Sequence, residues 1–173
     1  AFVVGDPRDE ATRLGPLASA AQLTRVREYI ERGIAEGAEL VTGGAHMPDG
    51  LTQGYFVRPT VFGRVHPKAT IAQEEIFGPV LAAQRFEDEQ EALALANGTR
   101  YGLVAGLWTR DGARQLRLAR RLRAGQVFIN NYGAGGGVEL PFGGTGQSGH
   151  GREKGFEALY GFTTLKTIAI KHG

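Results

Sequence analysis

A glycine-dense stretch between positions 131 and 155 constrains the fold of this chain more than any other feature. It contains ten glycines, a Pro-Phe pair at Pro141 and Phe142, and an Arg-Glu-Lys cluster near its end. Glycine loses more entropy on ordering than any other residue, so such a stretch is kept mainly where backbone turns sharply or approaches something closely. Flexible linkers, the alternative, are rich in Gly and Ser without an embedded bulky aromatic residue. We therefore interpret the stretch as an ordered loop that lines a site.

Composition argues against several classes of protein. The 173 residues fit one domain, and 42% hydrophobic with 22% charged residues is ordinary for a globular protein. A net charge of +2 is too small to favour capture of nucleic acid, and no window is apolar enough to span a membrane. No cysteine is present, which excludes disulfides and a cysteine nucleophile within these residues. Because no targeting signal is visible, a cytoplasmic location is expected.

Periodic apolar patterns predict alternating strands and helices. A helix is predicted from Ser19 to about Gly37, with an apolar face formed by Leu23, Val26, Ile30 and Ile34. Strands are predicted over 39–42, 55–62, 80–86, 103–108 and 126–130, and further helices over 87–97 and 111–123. This order is typical of an α/β fold with an open, mostly parallel sheet and flanking helices. A final strand is predicted over 162–171, with no later residues to cover its edge.

Two places carry candidate ligand-binding side chains. Glu74 and Glu75 are adjacent, and neighbours in extended backbone face opposite sides, so only one of them can serve a site. A carboxylate there could accept hydrogen bonds from a ligand's hydroxyls, while Phe77 packs on a flat heterocycle. On the polar face of the first helix, Gln22 and Arg25 are ligand candidates, although such a face is most often only solvated.

Familiar catalytic motifs are rejected. The run from Gly144 to Gly149 matches G-x-G-x-x-G, but it does not directly follow a strand, and no acidic residue follows at the required distance. Ser148 lacks the second glycine of a nucleophile elbow, and the four histidines have no metal-ligand spacing. The six arginines between 110 and 123 are interpreted as the solvated face of a helix that packs its other side. No complete active site is visible.

Five sequence blocks, in order, resemble the NAD(P)-dependent aldehyde dehydrogenases. They are GDPRDEATRLGPL from Gly5, GYFVRPTVF from Gly54, EEIFGPV from Glu74, YGL from Tyr101, and PFGG followed by SGxGRE between Pro141 and Glu153. They correspond to the C-terminal third or so of the family's sequence. The family commonly has a lysine two residues after PFGG, where this chain has Gly146. The resemblance implies oxidation of an aldehyde to a carboxylic acid with NAD or NADP through a cysteine thioester.

The resemblance also implies roles for particular residues. Glu75 and Phe77 would contact the nicotinamide side of the cofactor, and Gln22 and Arg25 its adenosine ribose. On the substrate side it implicates Phe142, Tyr132, Gly133 and the loop to Leu140, and it makes Glu153 a buried carboxylate of a proton relay.

The same resemblance implies two functional regions, residues 1–160 as part of the catalytic domain and 161–173 as a strand that joins a neighbouring subunit in a dimer or tetramer. The family's cysteine, general base and Rossmann half would lie upstream, so this chain alone is expected to be inactive. The alternative is a non-catalytic assembly or binding module that uses the same fold.

Overall fold

The chain divides into two compact units, one over Ala1–Asp88 and the other over Glu89–Gly173. The computed structural model describes residues 2–132 and 137–173. The length of the chain predicted a single domain, whereas its internal contacts fall into two separate units. The division predicted at residue 160 separates a catalytic region from an oligomerisation strand, and it stays a prediction.

The first unit is organised around one long helix. Its elements are α1 (Ala20–Ala35), β1 (Glu39–Thr42), β2 (Thr60–Gly63), α2 (Thr70–Gln73) and β3 (Val80–Ala82). The Ser19 side chain caps α1 by accepting a hydrogen bond from the Gln22 amide at 3.2 Å, as the sequence predicted. Leu23, Val26 and Ile30 are buried in a core that also contains Val57, Phe62, Val65 and Ile71.

Gly33 lets α1 approach its neighbours closely. A Cβ at this position would lie 2.9 Å from Ile71 Cδ1 and 3.1 Å from Phe62 Cζ. These contacts join α1 to α2 and β2, so any side chain at position 33 would push core elements apart.

The sheet of the first unit is mixed. Its order is β1-β2-β3, with β1 antiparallel to β2 and β2 parallel to β3. The strand predicted over 55–62 begins only at Thr60, directly after Pro59, whose nitrogen has no hydrogen to donate to a ladder. The strand predicted over 80–86 is shorter than expected and ends at Ala82.

The second unit contains α3 (Glu89–Ala96), β4 (Tyr101–Gly102), β5 (Val104–Leu107), α4 (Gly112–Ala119), β6 (Gln126–Ile129), β7 (Thr145–Gly146) and α5 (Glu157–Gly161). The unit β5-α4-β6 forms the parallel pair that the sequence predicted, whereas β4 pairs antiparallel with β7. Among the described residues of this unit, Leu93 is the only buried hydrophobic one. Its core is therefore sparse.

Two predictions about secondary structure need correction. The described residues form three small sheets with two parallel and two antiparallel pairings, not one open, mostly parallel sheet. Helix α4 ends at Ala119, not Arg123, because the Asn97 side chain bonds the Arg121 carbonyl at 3.0 Å and the Arg123 amide at 2.8 Å. Residues 163–173 pair with no strand of this chain, so the terminal strand predicted over 162–171, with its partner in a neighbouring subunit, stays a prediction.

Candidate functional site

The segment between α2 and β3, residues 74–79, contains two exposed candidate side chains. Ile76 is buried in the core of the first unit, and its neighbours Glu75 and Phe77 are both exposed. Glu74 ends α2 in extended backbone and is half-buried. The two glutamates therefore occupy different surroundings, and Glu75 is the one that is exposed like Phe77. We call residues 74–79 the EEIFGP loop.

Phe77 adopts an unusual conformation. Its φ is +60°, in the left-handed region that bulky residues rarely occupy, and its side chain is 74% exposed. An aromatic ring in water on a strained main chain gains nothing from core packing. Such outliers persist only where surrounding structure holds them, and they concentrate at ligand sites.

Two side chains of α1 hold this loop by its main chain. Gln22 Nε2 donates to the carbonyl oxygens of Ile76 at 3.2 Å and Phe77 at 2.6 Å. Arg25 Nη2 donates to the Glu75 carbonyl at 2.8 Å. The residues expected to contact the cofactor thus bond three successive carbonyls of the loop.

Gly78 and Tyr29 also contribute to the packing of the EEIFGP loop against α1. A Cβ at Gly78 would lie 2.5 Å from Val26 Cγ2, so only glycine lets the loop lie this close to α1. The Arg25 guanidinium lies 5.1 Å from the centre of the Tyr29 ring and also donates to its hydroxyl at 3.2 Å. A groove of about 380 Å³ runs beside them, lined by Arg25, Glu28, Tyr29 and Arg32.

The second candidate region lies in the glycine-dense stretch. Phe142 and Glu153 form an isolated antiparallel bridge, with the Phe142 amide donating to the Glu153 carbonyl at 2.6 Å and the Glu153 amide to the Phe142 carbonyl at 2.7 Å. Directly opposed residues in an antiparallel pair project to the same face. The two residues selected from sequence are therefore neighbours, about a groove of roughly 260 Å³.

Several side chains hold this stretch in place. Arg152 Nη1 donates to the carbonyls of Gly144 at 2.8 Å and Gly151 at 2.9 Å, and Gln126 Nε2 donates to the Pro141 carbonyl at 2.9 Å. The described part of the stretch is thus an ordered loop and not a linker. Sequence reasoning missed Arg152 and Gln126, because nothing in their local pattern marks them as donors to glycine carbonyls.

The sequence also singled out Glu153, Tyr132, Gly133 and Ser148. Glu153 is exposed in this chain, and its burial in the full-length protein stays a prediction. Tyr132 is exposed, and Gly133 lies outside the described residues. The Ser148 hydroxyl accepts a hydrogen bond from the Gly102 amide at 3.1 Å, a structural role.

A cation lies beside the Phe142 ring. Lys154 Nζ is 5.7 Å from the ring centre, and Lys154 itself has a φ of +62°. The Gly155 amide next to it donates to the Val138 carbonyl at 2.8 Å, which ties this turn to the other arm of the loop.

The arginine-rich helix α4 forms an ion-pair cluster. Arg114 Nε lies 2.6 Å and Arg117 Nη2 2.7 Å from Glu89 Oε1. Hydrogen bonds from Arg117 and then Arg114 lower the pKa of Glu89 to about 2. Part of the helix face that was expected to be solvated therefore forms ion pairs with α3.

Residues 2–132 and 137–173 contain neither a metal-binding cluster nor a membrane-spanning helix. No group of three or more His, Asp or Glu side chains there could hold a metal ion. Among the helices of the same ranges, none has the length and apolar character needed to cross a bilayer.

Comparison with known proteins decides the family. Residues 1–168 match the sequence pattern of the aldehyde dehydrogenase family. The chain belongs to the aldehyde dehydrogenase family. This aldehyde dehydrogenase chain is 51% identical to betaine aldehyde dehydrogenase of Sinorhizobium fredii, with 100% of the chain and 35% of that protein covered.

Solved structures agree with this assignment. An aldehyde dehydrogenase of Mycobacterium tuberculosis complexed with NAD⁺ is 46% identical, with a TM-score of 0.92 over 100% of this chain and 35% of its own. A putative aldehyde dehydrogenase of Burkholderia cenocepacia is 63% identical, with a TM-score of 0.87 over 98% of this chain and 36% of its own. The chain therefore spans about a third of the length of the relatives it matches, and its fold is that of the corresponding part of these enzymes.

Proposed function

We propose that this chain is the C-terminal portion of an NAD(P)-dependent aldehyde dehydrogenase that oxidises an aldehyde to a carboxylic acid. The observation that carries the proposal is the EEIFGP loop, which presents Glu75 and Phe77 together in a family whose solved members include an NAD⁺ complex. We assign the protein to the cytoplasm and expect it to work as a homo-oligomer.

The side chains on this loop suit a nicotinamide nucleotide. The Glu75 carboxylate is a pure acceptor and matches a pair of ribose hydroxyls, and the exposed Phe77 ring offers a flat apolar face to a heterocycle. When bound, the cofactor would accept hydride from the substrate. The contribution of this chain is to orient the cofactor and to cover part of it from water.

The substrate-side role falls to the glycine-dense loop. Phe142 lines the groove beside Glu153, so we assign the ring to the wall of the aldehyde passage and the carboxylate to moving a proton for the hydrolytic water. Tyr132 and Gly133 would border the entrance. The chain has no cysteine, so the thioester-forming nucleophile belongs to the protein outside these 173 residues.

The test compares the full-length protein with this chain. Purified full-length protein should form NADH or NADPH when given an aldehyde, and the 173-residue chain should not. Betaine aldehyde and octanal are suitable first substrates, because relatives 51% and 46% identical are named for, or were solved with, these compounds. A full-length protein that binds no nucleotide would favour the non-catalytic module instead.

A further inference from the structure

We propose that Gln22 and Arg25 act as a clamp that positions the EEIFGP loop, and that they do so before any cofactor binds. The proposal rests on the proposed function, because the loop is taken as a cofactor contact. It differs from a direct role in which these two side chains bind the nucleotide themselves.

The hydrogen-bonding capacity of Gln22 supports this assignment. A carboxamide nitrogen carries two hydrogens, and Gln22 Nε2 has two acceptors, the carbonyls of Ile76 and Phe77. With the loop in place, the amide nitrogen is therefore directed at the main chain of the loop. Its partners lie more than fifty positions away in the sequence, so these bonds fix the loop on α1 and do not merely close a local turn.

Arg25 is committed in a similar way. Its Nη2 donates to both the Glu75 carbonyl and the Tyr29 hydroxyl, and its guanidinium lies over the Tyr29 ring. Tyr29 therefore orients Arg25, and Arg25 orients the main chain of the residue whose carboxylate is the ligand candidate. A planar, fork-shaped donor group suits this double task.

The loop itself shows why a clamp is needed. Phe77 is held at φ +60° with its ring exposed, so neither backbone preference nor burial of this side chain stabilises its position. Ile76 packs inward and Gly78 lies against Val26, which anchors the loop at two points. The three carbonyl bonds fix the remaining main-chain orientation of Glu75 and Phe77.

The experiment uses full-length protein in two measurements. The variants are Gln22→Met and Arg25→Met, which keep most side-chain volume but remove the donors, and Arg25→Lys, which keeps one charged donor. Arg85→Met is the matched control, since Arg85 does not line the groove and its ion pair, at 3.1 Å, is with Glu87. Gln22 and Arg25 are not part of the buried core, so the variants are expected to fold, which circular dichroism will check.

The first measurement is hydrogen exchange of cofactor-free protein, followed by mass spectrometry over residues 74–80. The amides of Glu74 and Val80 are hydrogen-bonded there and report loop opening. We expect about tenfold faster exchange in Gln22→Met and Arg25→Met. Partial rescue is expected in Arg25→Lys, and no change in the control.

The second measurement is the Kd for NAD⁺ or NADP⁺, together with kcat at saturating cofactor. We expect Kd to rise by roughly tenfold while kcat changes less, because a loosened loop must be ordered on binding. Weaker binding with unchanged exchange would overturn the clamp in favour of direct contact, and unchanged exchange with unchanged Kd would overturn it too. Failure of wild-type protein to bind either nucleotide would refute the proposed function, while exchange would still test the clamp.

Discussion

Gly125 packs directly against the carbonyl oxygen of Gly143, so closely that a Cβ at position 125 would overlap that oxygen. The Gly125 amide donates to the Gly102 carbonyl at 3.0 Å, which fixes the residue from its other side. The glycine-dense loop can therefore lie this close to the start of β6 only because residue 125 has no side chain.

Substitution of Gly125 should therefore destabilise the second unit. We expect Gly125→Ala to lower the free energy of unfolding by about 1–3 kcal/mol, because backbone on both sides must move. Gly112→Ala is the matched control, since nothing lies within 4 Å of a Cβ there and the residue begins α4. Urea unfolding of both variants will check this, and equal stability of the two would contradict it.

Glu75 and Glu74 should differ in their effect on cofactor binding. In the full-length protein, Glu75→Gln should weaken binding by about 1–3 kcal/mol, because it removes a charge-assisted acceptor for ribose hydroxyls. Glu74→Gln, at the half-buried end of α2, should change affinity much less. Titration calorimetry with NAD⁺ or NADP⁺ is the measurement, and a larger loss at Glu74 would refute the assignment.

The Glu89 cluster should make stability depend on pH in acid. The pKa of Glu89 is lowered from its ordinary 4.5 to about 2 by Arg117 and Arg114, so the folded state favours the ionised carboxylate. This contribution is fully present above about pH 4.5 and is lost as pH falls towards 2. Glu89→Gln should remove that part of the acid sensitivity.

Unfolding curves of wild type and Glu89→Gln, collected above and within this window, will measure the difference. Glu31→Gln, which removes an exposed carboxylate from α1 in the other unit, is the charge control. Parallel loss of stability with acid in wild type and Glu89→Gln would show that the cluster contributes nothing.

The terminal segment should drive self-association of the chain. Residues 163–173 form no strand within the chain, and they carry exposed Leu165, Ile168 and Ile170, which suit pairing with a sheet edge of another copy. Light scattering at micromolar concentration should show oligomers that disappear when the chain is truncated after Gly161. A monomeric full chain, or assembly unchanged by truncation, would contradict this prediction.

Local rules predicted the parts of the structure that depend on neighbours in sequence. Ser19 and the apolar spacing from Leu23 to Ile30 predicted the start and buried face of α1, whereas Ile34, expected on the same face, is 48% exposed. Alternation separated Glu74 from Glu75, because Ile76 must point into the core and its neighbours cannot. The cap of α4 at Asp111 followed from the same kind of reasoning.

Features that depend on distant partners could not be predicted. Strands β4 and β7 contain two residues each, too few for any pattern, and pair across more than forty positions. Helix α4 ends early because the side chain of Asn97, more than twenty positions away in sequence, hydrogen-bonds the main chain of Arg121 and Arg123. The bonds from Gln22 and Arg25 to the EEIFGP loop likewise join elements that no periodicity relates.

The sparse burial of the second unit has a consequence for how the chain behaves in a cell. No side chain of helix α4 is fully buried, and Trp108, Leu116, Phe156, Tyr160 and Phe162 are all exposed on this unit. Exposed aromatic and aliphatic surface of this kind is what molecular chaperones bind and what drives precipitation at high concentration. We expect the yield of the 173-residue chain, when it is produced alone, to depend on how soon after synthesis these side chains are covered.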